Sequence, residues 1–507
     1  MSDQHHESTL TRRVAIGATW LVAGRWVIRL IGLISVLVLA RLLTPEDFGI
    51  VALAGLVVAV LDALTDFRFG QALVHYQDAT IEEYNTAWTF NVIRGTAVAA
   101  LLVGGASLFA GIFRDPRLVQ VFQVLAVVAI LDGLQNIGTI QFTKDIRFDR
   151  DFRLKVIPRL GTFVVTLALA FLWRSYWALI AGMVAGRVTS LIVSYAMHPY
   201  RPRFCISASR RLFAFSSWLM GGQVISLINQ RLEQLLIGGF LSPALVGIYN
   251  VAYELAAMAT TELVGPAAQA LFPGFSQIAN DKARLRQAYE KSVQFVVAIG
   301  TPLGIGLALV APEFIVIVLG LKWIDAVLPL RVLSIMFSVS VLALASTGLL
   351  PAIGRTRDVF MIDFILFVIR TPVTALLVWQ LGFAAAVWAR LAAGTWWVIH
   401  YMSVVRQRLD ISFRRLLFVT WRSYAAAATM TIVVLIIDVA LHVPTAAQVL
   451  QVPLTTLWVA LTVKVVAGAA AYTLSHLLFW QLQGRPGGPE HIIILAVKPK
   501  LRFFGQG

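Results

Sequence analysis

Charge and cysteine are what this chain of 507 residues is short of. Only 13% of its residues are charged, against roughly 25% in an average soluble domain. With 59% of the chain hydrophobic, too little polar surface exists to wet a globule on all sides. A soluble fold is excluded, and the solvent must be lipid. The single cysteine, Cys205, excludes disulfides and cysteine-based metal sites, and no Cys/His spacing resembles a zinc signature. No GxxxxGK[ST] motif is present, so direct ATP-driven pumping is excluded and no cofactor is expected. The longest predicted outer connection, LHVPTAAQVLQVP near 440–455, carries no charge. Membrane glycosyltransferases and ligases place catalytic groups on large outer loops, so an enzyme is not expected either. A net charge of +16 would suggest nucleic acid for a soluble protein. Here it fits the placement of lysine and arginine on one side of a membrane, and no nucleic-acid partner is expected.

What the chain has in abundance is long apolar runs. A hydrocarbon core of about 30 Å needs roughly 20 apolar residues per helix. That ruler places spans near 14–40, 48–72, 87–112, 118–142, 156–173, 177–197 and 212–240. It places seven more near 247–272, 292–319, 327–350, 358–379, 385–405, 416–440 and 456–480. The expected fold is an all-α polytopic membrane protein of about fourteen helices. The run from Val14 to Leu39 is longer than a signal-peptide core and lacks a small-residue cleavage site, so it reads as a retained first span. With the N-terminus cytoplasmic, inner segments collect Lys144, Arg147, Arg150, Arg153, Lys155, Arg201, Arg203, Arg210, Arg211, Lys282, Arg284, Arg286 and Lys291. Arg406, Arg408, Arg414 and Arg415 lie on the same side. The outer segments hold only Arg41, Arg114, Arg117, Arg174 and Lys322. That asymmetry is what the positive-inside rule demands, and both termini are expected in the cytoplasm. The segment TKDIRFDRDFRLK at 143–155 reads as an amphipathic stretch at the inner interface.

The chain also repeats itself. Residues 12–59 align without a gap on 210–257. Arg12 and Arg13 fall on Arg210 and Arg211, Trp20 on Trp218, Gly24 on Gly222, Leu43 on Leu241, Pro45 on Pro243 and Gly49 on Gly247. Each copy is a basic foot, a long apolar helix, a tight x-Pro turn and a second apolar helix. Internal duplication is common among transporters, which move one repeat against the other. The expected organisation is an N-lobe of spans 1–6 (1–198), a C-lobe of spans 7–12 (199–410), spans 13–14 (411–482) and a cytoplasmic tail (483–507).

The stretches ARLLTPEDFGIVALA, LDALTDFRFGQALVH and TAWTFNVIRG resemble the polysaccharide transporter (Wzx-type) family of the multidrug/oligosaccharidyl-lipid/polysaccharide (MOP) flippase superfamily. LIGGFLSPALVGIYNVAYELA and APEFIVIVLGLKWIDAVLPLRVLSIM in the second lobe carry the same resemblance, which covers residues 10 to 410. Exporters of the colanic-acid and teichuronic-acid type are the most similar. The resemblance implies a flippase moving undecaprenyl-diphosphate-linked oligosaccharide units across the bacterial inner membrane. It implies membrane lipids as surroundings, and a polysaccharide polymerase and glycosyltransferases as partners. One departure is Arg68 in TDFRFG, where the family more often has glycine. The alternative is a multidrug or cation antiporter of the MATE type, which shares the fold. An antiporter would be expected to prefer an acidic, aromatic cavity, and this chain has more deep arginines than deep acids.

A charge inside a span costs at least roughly 2.5–3.5 kcal/mol at mid-bilayer, so those present mark pairing or function. Arg25, Arg29, Arg187, Arg231 and Arg370 are the deep cations and the candidate substrate-binding residues. Asp62, Asp132, Glu233, Glu254 and Glu262 are the candidate ion-coupling residues. Arg159, Arg331, Arg422 and Asp438 fall close enough to span ends to snorkel into water. Arg25 and Arg29 share a helical face and repel each other. Either Asp62 and Asp66 pair with them, or a ligand diphosphate does, for which the guanidinium fork suits two oxygens at once. Arg25, Arg29 and Arg231 have no charged counterpart in the other repeat, aligning with Gln223, Leu227 and Leu33. Gly300, Pro302, Gly304 and Gly306 mark a place where span 9 could unwind, and Pro158, Pro266 and Pro372 where helices could kink. Ordinary membrane packing also accounts for all of these.

The topology is open to direct measurement. Single cysteines placed in a Cys205-free background should react with an impermeant reagent from outside at positions 41 and 322, and from inside at 150 and 203. Labelling of 41 or 322 from the inside alone reverses the assignment.

Overall fold

A computed structural model describes residues 23–76, 78–145, 147–440 and 453–485, with side chains at all of these except 75, 213–223, 262, 266–270 and 272–273. Both termini and the side chains of Glu262 and Pro266 therefore lie outside the described residues. Among the described residues the chain is helical and has no strand. The long helices are α1 (Ala23–Leu42), α2 (Pro45–Thr65), α3 (Ile81–Gly104), α4 (Arg117–Gly133), α5 (Phe148–Trp173), α6 (Trp177–Met197) and α7 (Ser209–Phe240). They continue as α8 (Pro243–Ala259), α9 (Lys282–Leu309), α10 (Val327–Ala352), α11 (Thr356–Leu381), α12 (Phe383–Leu409), α13 (Phe413–Ala440) and α14 (Leu454–Leu482). Each expected span overlaps one of them, with spans 4 and 8 divided further along and the start of span 1 outside the described residues. Ten described helices are long and apolar enough to cross a membrane, or up to eleven if a bent pair is one span.

Local sequence explains where the helices start and break. Thr44 caps α2: its Oγ1 accepts from the Asp47 amide at 3.2 Å while Asp47 Oδ2 accepts from the Thr44 amide at 2.9 Å, with Pro45 in the first turn. This capping box satisfies backbone donors that the helix start would otherwise leave unpaired. Span 4 bends by 57° between Gly133 and Ile137. Buried Asn136 holds the bend, donating from Nδ2 to the carbonyls of His198 and Tyr200 at 3.3 and 2.9 Å. Span 8 breaks at Thr260, before a second helix, Thr261–Gln277. The helices run on through Pro158, Pro302 and Pro372. Gly300 and Gly304 do not unwind α9: a β-carbon there would lie 2.6 Å from Val341 and 2.7 Å from the Ser334 carbonyl. They let α10 pack closely, and α9 gives way later, at Val310, before a π-helical turn at Ile315–Leu319. The described residues of the 143–155 stretch do not form one helix of their own. They divide between the end of a short helix, Ile140–Lys144, and the first turns of α5, where the Phe152 ring lies over Gly24 of α1.

Arg68 has φ 51°, ψ 37°, a left-handed conformation that costs a side-chain-bearing residue roughly 1–2 kcal/mol. This is the backbone reason for a glycine at the position. Asp66 offsets part of the cost, its Oδ1 accepting from the Arg68 amide at 2.8 Å.

The chain divides into two compact units, 1–247 and 248–507. The packing boundary falls inside α8, whereas the repeat boundary expected from sequence is at 198/199. In the first unit the two repeat copies touch each other through their matching glycines. A β-carbon on Gly49 would sit 1.7 Å from the Pro243 carbonyl oxygen, and one on Gly247 would sit 1.9 Å from the Pro45 carbonyl oxygen. The 198–211 segment is strapped down rather than loose. Tyr200 Oη donates to Asn85 Oδ1 at 2.5 Å, and Arg211 binds Glu83 and Asp78, both at 2.9 Å. The Arg211 hydrogen bond holds the exposed Asp78 carboxyl below its ordinary value. In the second unit α9 packs against α10 and α13, α10 against α12, and α13 against α14.

Gly49→Ala and Gly247→Ala should each lower the thermal unfolding midpoint of the purified protein, by an overpacking cost of about 1–3 kcal/mol or more. Gly55, with nothing within 4 Å of its β-position, is the control and should tolerate alanine. Equal midpoints for all three would remove the crossing from the account of stability.

Candidate functional site

Glycine contacts between helices place charged neighbours together in the first unit. Gly95 on α3 and Gly133 on α4 press against each other's helix: their β-carbons would lie 2.6 Å from the Ala129 carbonyl and 2.5 Å from the Asn91 carbonyl. On α5 and α6, the Thr166 and Thr162 hydroxyls occupy the space that β-carbons on Gly182 and Gly186 would need, 1.8 and 2.0 Å away. Small residues at such contacts let membrane helices approach without side chains between them. Arg94, Asp132 and Arg187 each adjoin one of these glycines in sequence.

The result is an ion cluster centred on Asp132. Arg94 Nη2 donates to Asp132 Oδ2 at 3.0 Å, Arg187 Nη1 lies 2.6 Å from Oδ1, and Gln135 Nε2 donates to Oδ1 at 2.8 Å. Ser190 in turn donates to Gln135 Oε1 at 3.1 Å. Asp62 on α2 lies 3.8 Å from the other terminal nitrogen of Arg94. Two arginines and two aspartates balance in charge, which a low-dielectric setting requires. The cluster is open on one side, with the Arg187 and Asp62 side chains 46% and 39% exposed. It also holds a spare donor: Arg94 Nε is buried without a hydrogen-bond partner among the described residues.

Three sequence candidates, Asp62, Asp132 and Arg187, thus meet in one place. Arg94, which joins them, escaped the sequence reading although it sits near the middle of α3. The signal was a lone basic residue in the interior of α3, whose other charges, Glu82 and Glu83, sit in its first turn. Arg25 and Arg29 lie exposed on α1. On α7, Arg231 Nη1 donates to Gln234 Oε1 at 3.1 Å, and Glu233 is fully buried. In the second unit Glu254 is half-buried and Arg370 buried. One residue expected to snorkel does otherwise: Arg422 is 4% exposed, whereas Asp438 keeps 29% exposure while pairing with Lys464. Helix packing, not distance from the span end, sets their surroundings.

A family model described as "polysaccharide biosynthesis protein" matches residues 38–328, more than half of the chain. The chain belongs to the polysaccharide transporter family of the MOP flippases. Among family relatives, the lipopolysaccharide biosynthesis protein WzxC of Escherichia coli (strain K12) is 26% identical over 68% of this chain and 69% of its own length. The succinoglycan biosynthesis transport protein ExoT of Rhizobium meliloti (strain 1021) is 26% identical over 88% and 90%. Among solved structures, the lipid II flippase MurJ in an inward closed conformation superposes with TM-score 0.70 over 92% of this chain and 99% of MurJ, at 13% identity. That likeness establishes a MOP-type fold, and the long apolar helices with the transporter relatives make this a multi-pass membrane protein. Membership in the polysaccharide family weakens the multidrug-antiporter alternative, which rests on shared fold alone.

Asp132→Ala leaves two guanidiniums facing each other, so the Arg94→Ala/Asp132→Ala double variant should be destabilised by less than the sum of the two single variants. The expected coupling is about 0.5–3 kcal/mol, read from the unfolding midpoints of both single variants and the double. Strict additivity would show that the pair is not a unit.

Proposed function

We propose that this protein flips undecaprenyl-diphosphate-linked oligosaccharide units across the bacterial inner membrane for polysaccharide assembly, acting as a transporter and not an enzyme. Membership in the polysaccharide transporter family is the observation that carries this reading. The fold, shared with a solved lipid II flippase, is compatible with a lipid-linked cargo. The mechanism proposed is alternating access, the protein opening its cargo site to each side of the membrane in turn, with both termini in the cytoplasm.

A diphosphate must cross a region hostile to charge. Arg25, Arg29, Arg187, Arg231 and Arg370 are the proposed groups that lower this barrier, each offering a planar fork to two oxygens. Arg187 and Arg94 are both engaged by Asp132. An arriving diphosphate competes for the same donors, so the grip is moderated and the cargo can leave again. Asp62, Asp132, Glu233, Glu254 and Glu262 are the proposed ion-coupling groups.

Deleting the gene in its host should abolish the surface polysaccharide and accumulate lipid-linked units on the inner leaflet. The wild-type gene should restore export, Arg29→Lys only partly, and Arg29→Ala not at all at unchanged protein level. Normal export by Arg29→Ala removes that residue from the cargo path. If the variant instead loses abundance and Asp62→Asn restores it, Arg29 serves a structural pair.

A further inference from the structure

A second charged cluster lies in the second unit, among residues outside the proposed cargo and ion-coupling groups. Glu313 stands on the short helix Ala311–Phe314, just after α9 and before the π-helical turn. Lys464 on α14 donates from Nζ to Glu313 Oε1 at 2.5 Å and also contacts Asp438 Oδ1 on α13. The Glu313 and Lys464 side chains are 1% and 2% exposed, while Asp438 keeps 29%. Glu313 Oε2 is buried and has no hydrogen-bond partner among the described residues.

Two carboxylates and one ammonium leave one surplus negative charge. In a buried setting that surplus costs several kcal/mol unless a cation cancels it. Among the described residues, nearby elements offer no further buried cation to do so. Arg331 on α10 is exposed and donates to the Ala308 carbonyl, and Lys322 and Asp325 on the turn Leu321–Ala326 are exposed. The part of α9 from Ser292 to Leu309 has no ionisable residue. A metal ion is poorly served, because it needs several free oxygen ligands and Lys464 already holds one oxygen of each carboxylate. A proton needs only one oxygen, and Glu313 Oε2 is unclaimed.

We propose that Glu313, Lys464 and Asp438 form a proton-binding site, in which the buried carboxylate of Glu313 takes up one proton that part-exposed Asp438 exchanges with water. Its role in transport rests on the flippase reading: loading and unloading this proton switches the cluster between neutral and anionic states and so changes how firmly α13 and α14 hold the end of α9. The ends of the three helices share one side of the membrane, the outer side if the charge asymmetry sets the topology, where the proton gradient delivers protons.

The test is infrared titration of the purified full-length protein, following the stretching band of protonated carboxyl groups. The wild type should show a band that titrates with pH. Glu313→Gln should lose it. Asp438→Asn should lose it too, because the remaining Glu313–Lys464 pair is already neutral, and that variant guards against misfolding of the first. Exchanging potassium for sodium should leave the band unmoved. A band unchanged in both variants, or absent from the wild type, makes the cluster a plain structural clip and overturns the proposal. Displacement of the band by sodium overturns it in favour of a metal-ion site. Should gene deletion leave polysaccharide export intact while the band behaves as expected, the flippase reading fails and the proton site stands.

Discussion

Close approach of helices through glycine is the constraint on which the rest of this structure depends. In lipid there is little hydrophobic force to drive helices together, so contact area and backbone proximity must do it. Gly49 with Gly247, Gly95 with Gly133, and the Gly182/Gly186 pair with two threonines each remove side chains from between helices. The effect is electrostatic as well as steric. Once α3 and α4 touch along their backbones, the residues beside the contact glycines, Arg94 and Asp132, lie within hydrogen-bond reach. The site is a by-product of packing, and its precision comes from glycines that carry no chemistry.

Hydropathy made the helices legible, since depth in a membrane is written directly in residue composition. It could not show where a helix turns aside. Span 4 reads as one apolar run, and its bend depends on Asn136 finding the carbonyls of His198 and Tyr200, residues more than sixty positions away. Span 8 breaks at Thr260 with no proline at that point. Charges were legible as exceptions, so Asp62, Asp132 and Arg187 stood out. Their joint placement did not, because composition gives depth but not which way a side chain faces. Lys464 and Glu313 fell outside the sequence candidates for the same reason: each gains meaning only from its partner across 151 positions.

The two clusters differ in kind. The one around Asp132 is balanced in charge and partly open, which suits groups that must trade partners with an anionic cargo. The one around Lys464 is closed and unbalanced, which suits a group that must gain or lose a proton. Each lies within a different compact unit of the chain. Helices α13 and α14, outside the duplicated pattern, supply two of the three charged groups in the second.

The Gly49–Gly247 crossing has a consequence for how such a chain can diverge. After a duplication the two copies are ordinarily free to drift apart, one keeping a role that the other abandons. Here each glycine is confronted by the proline carbonyl of the other copy. A side chain gained at either position collides with the backbone of the opposite copy, where no change of side chain can make room. The arginines carry no such bond: Arg25, Arg29 and Arg231 face Gln223, Leu227 and Leu33 in the alignment of the two copies. The two glycine positions are each bound to the backbone of the opposite copy, so neither can gain a side chain whatever residue stands across from it.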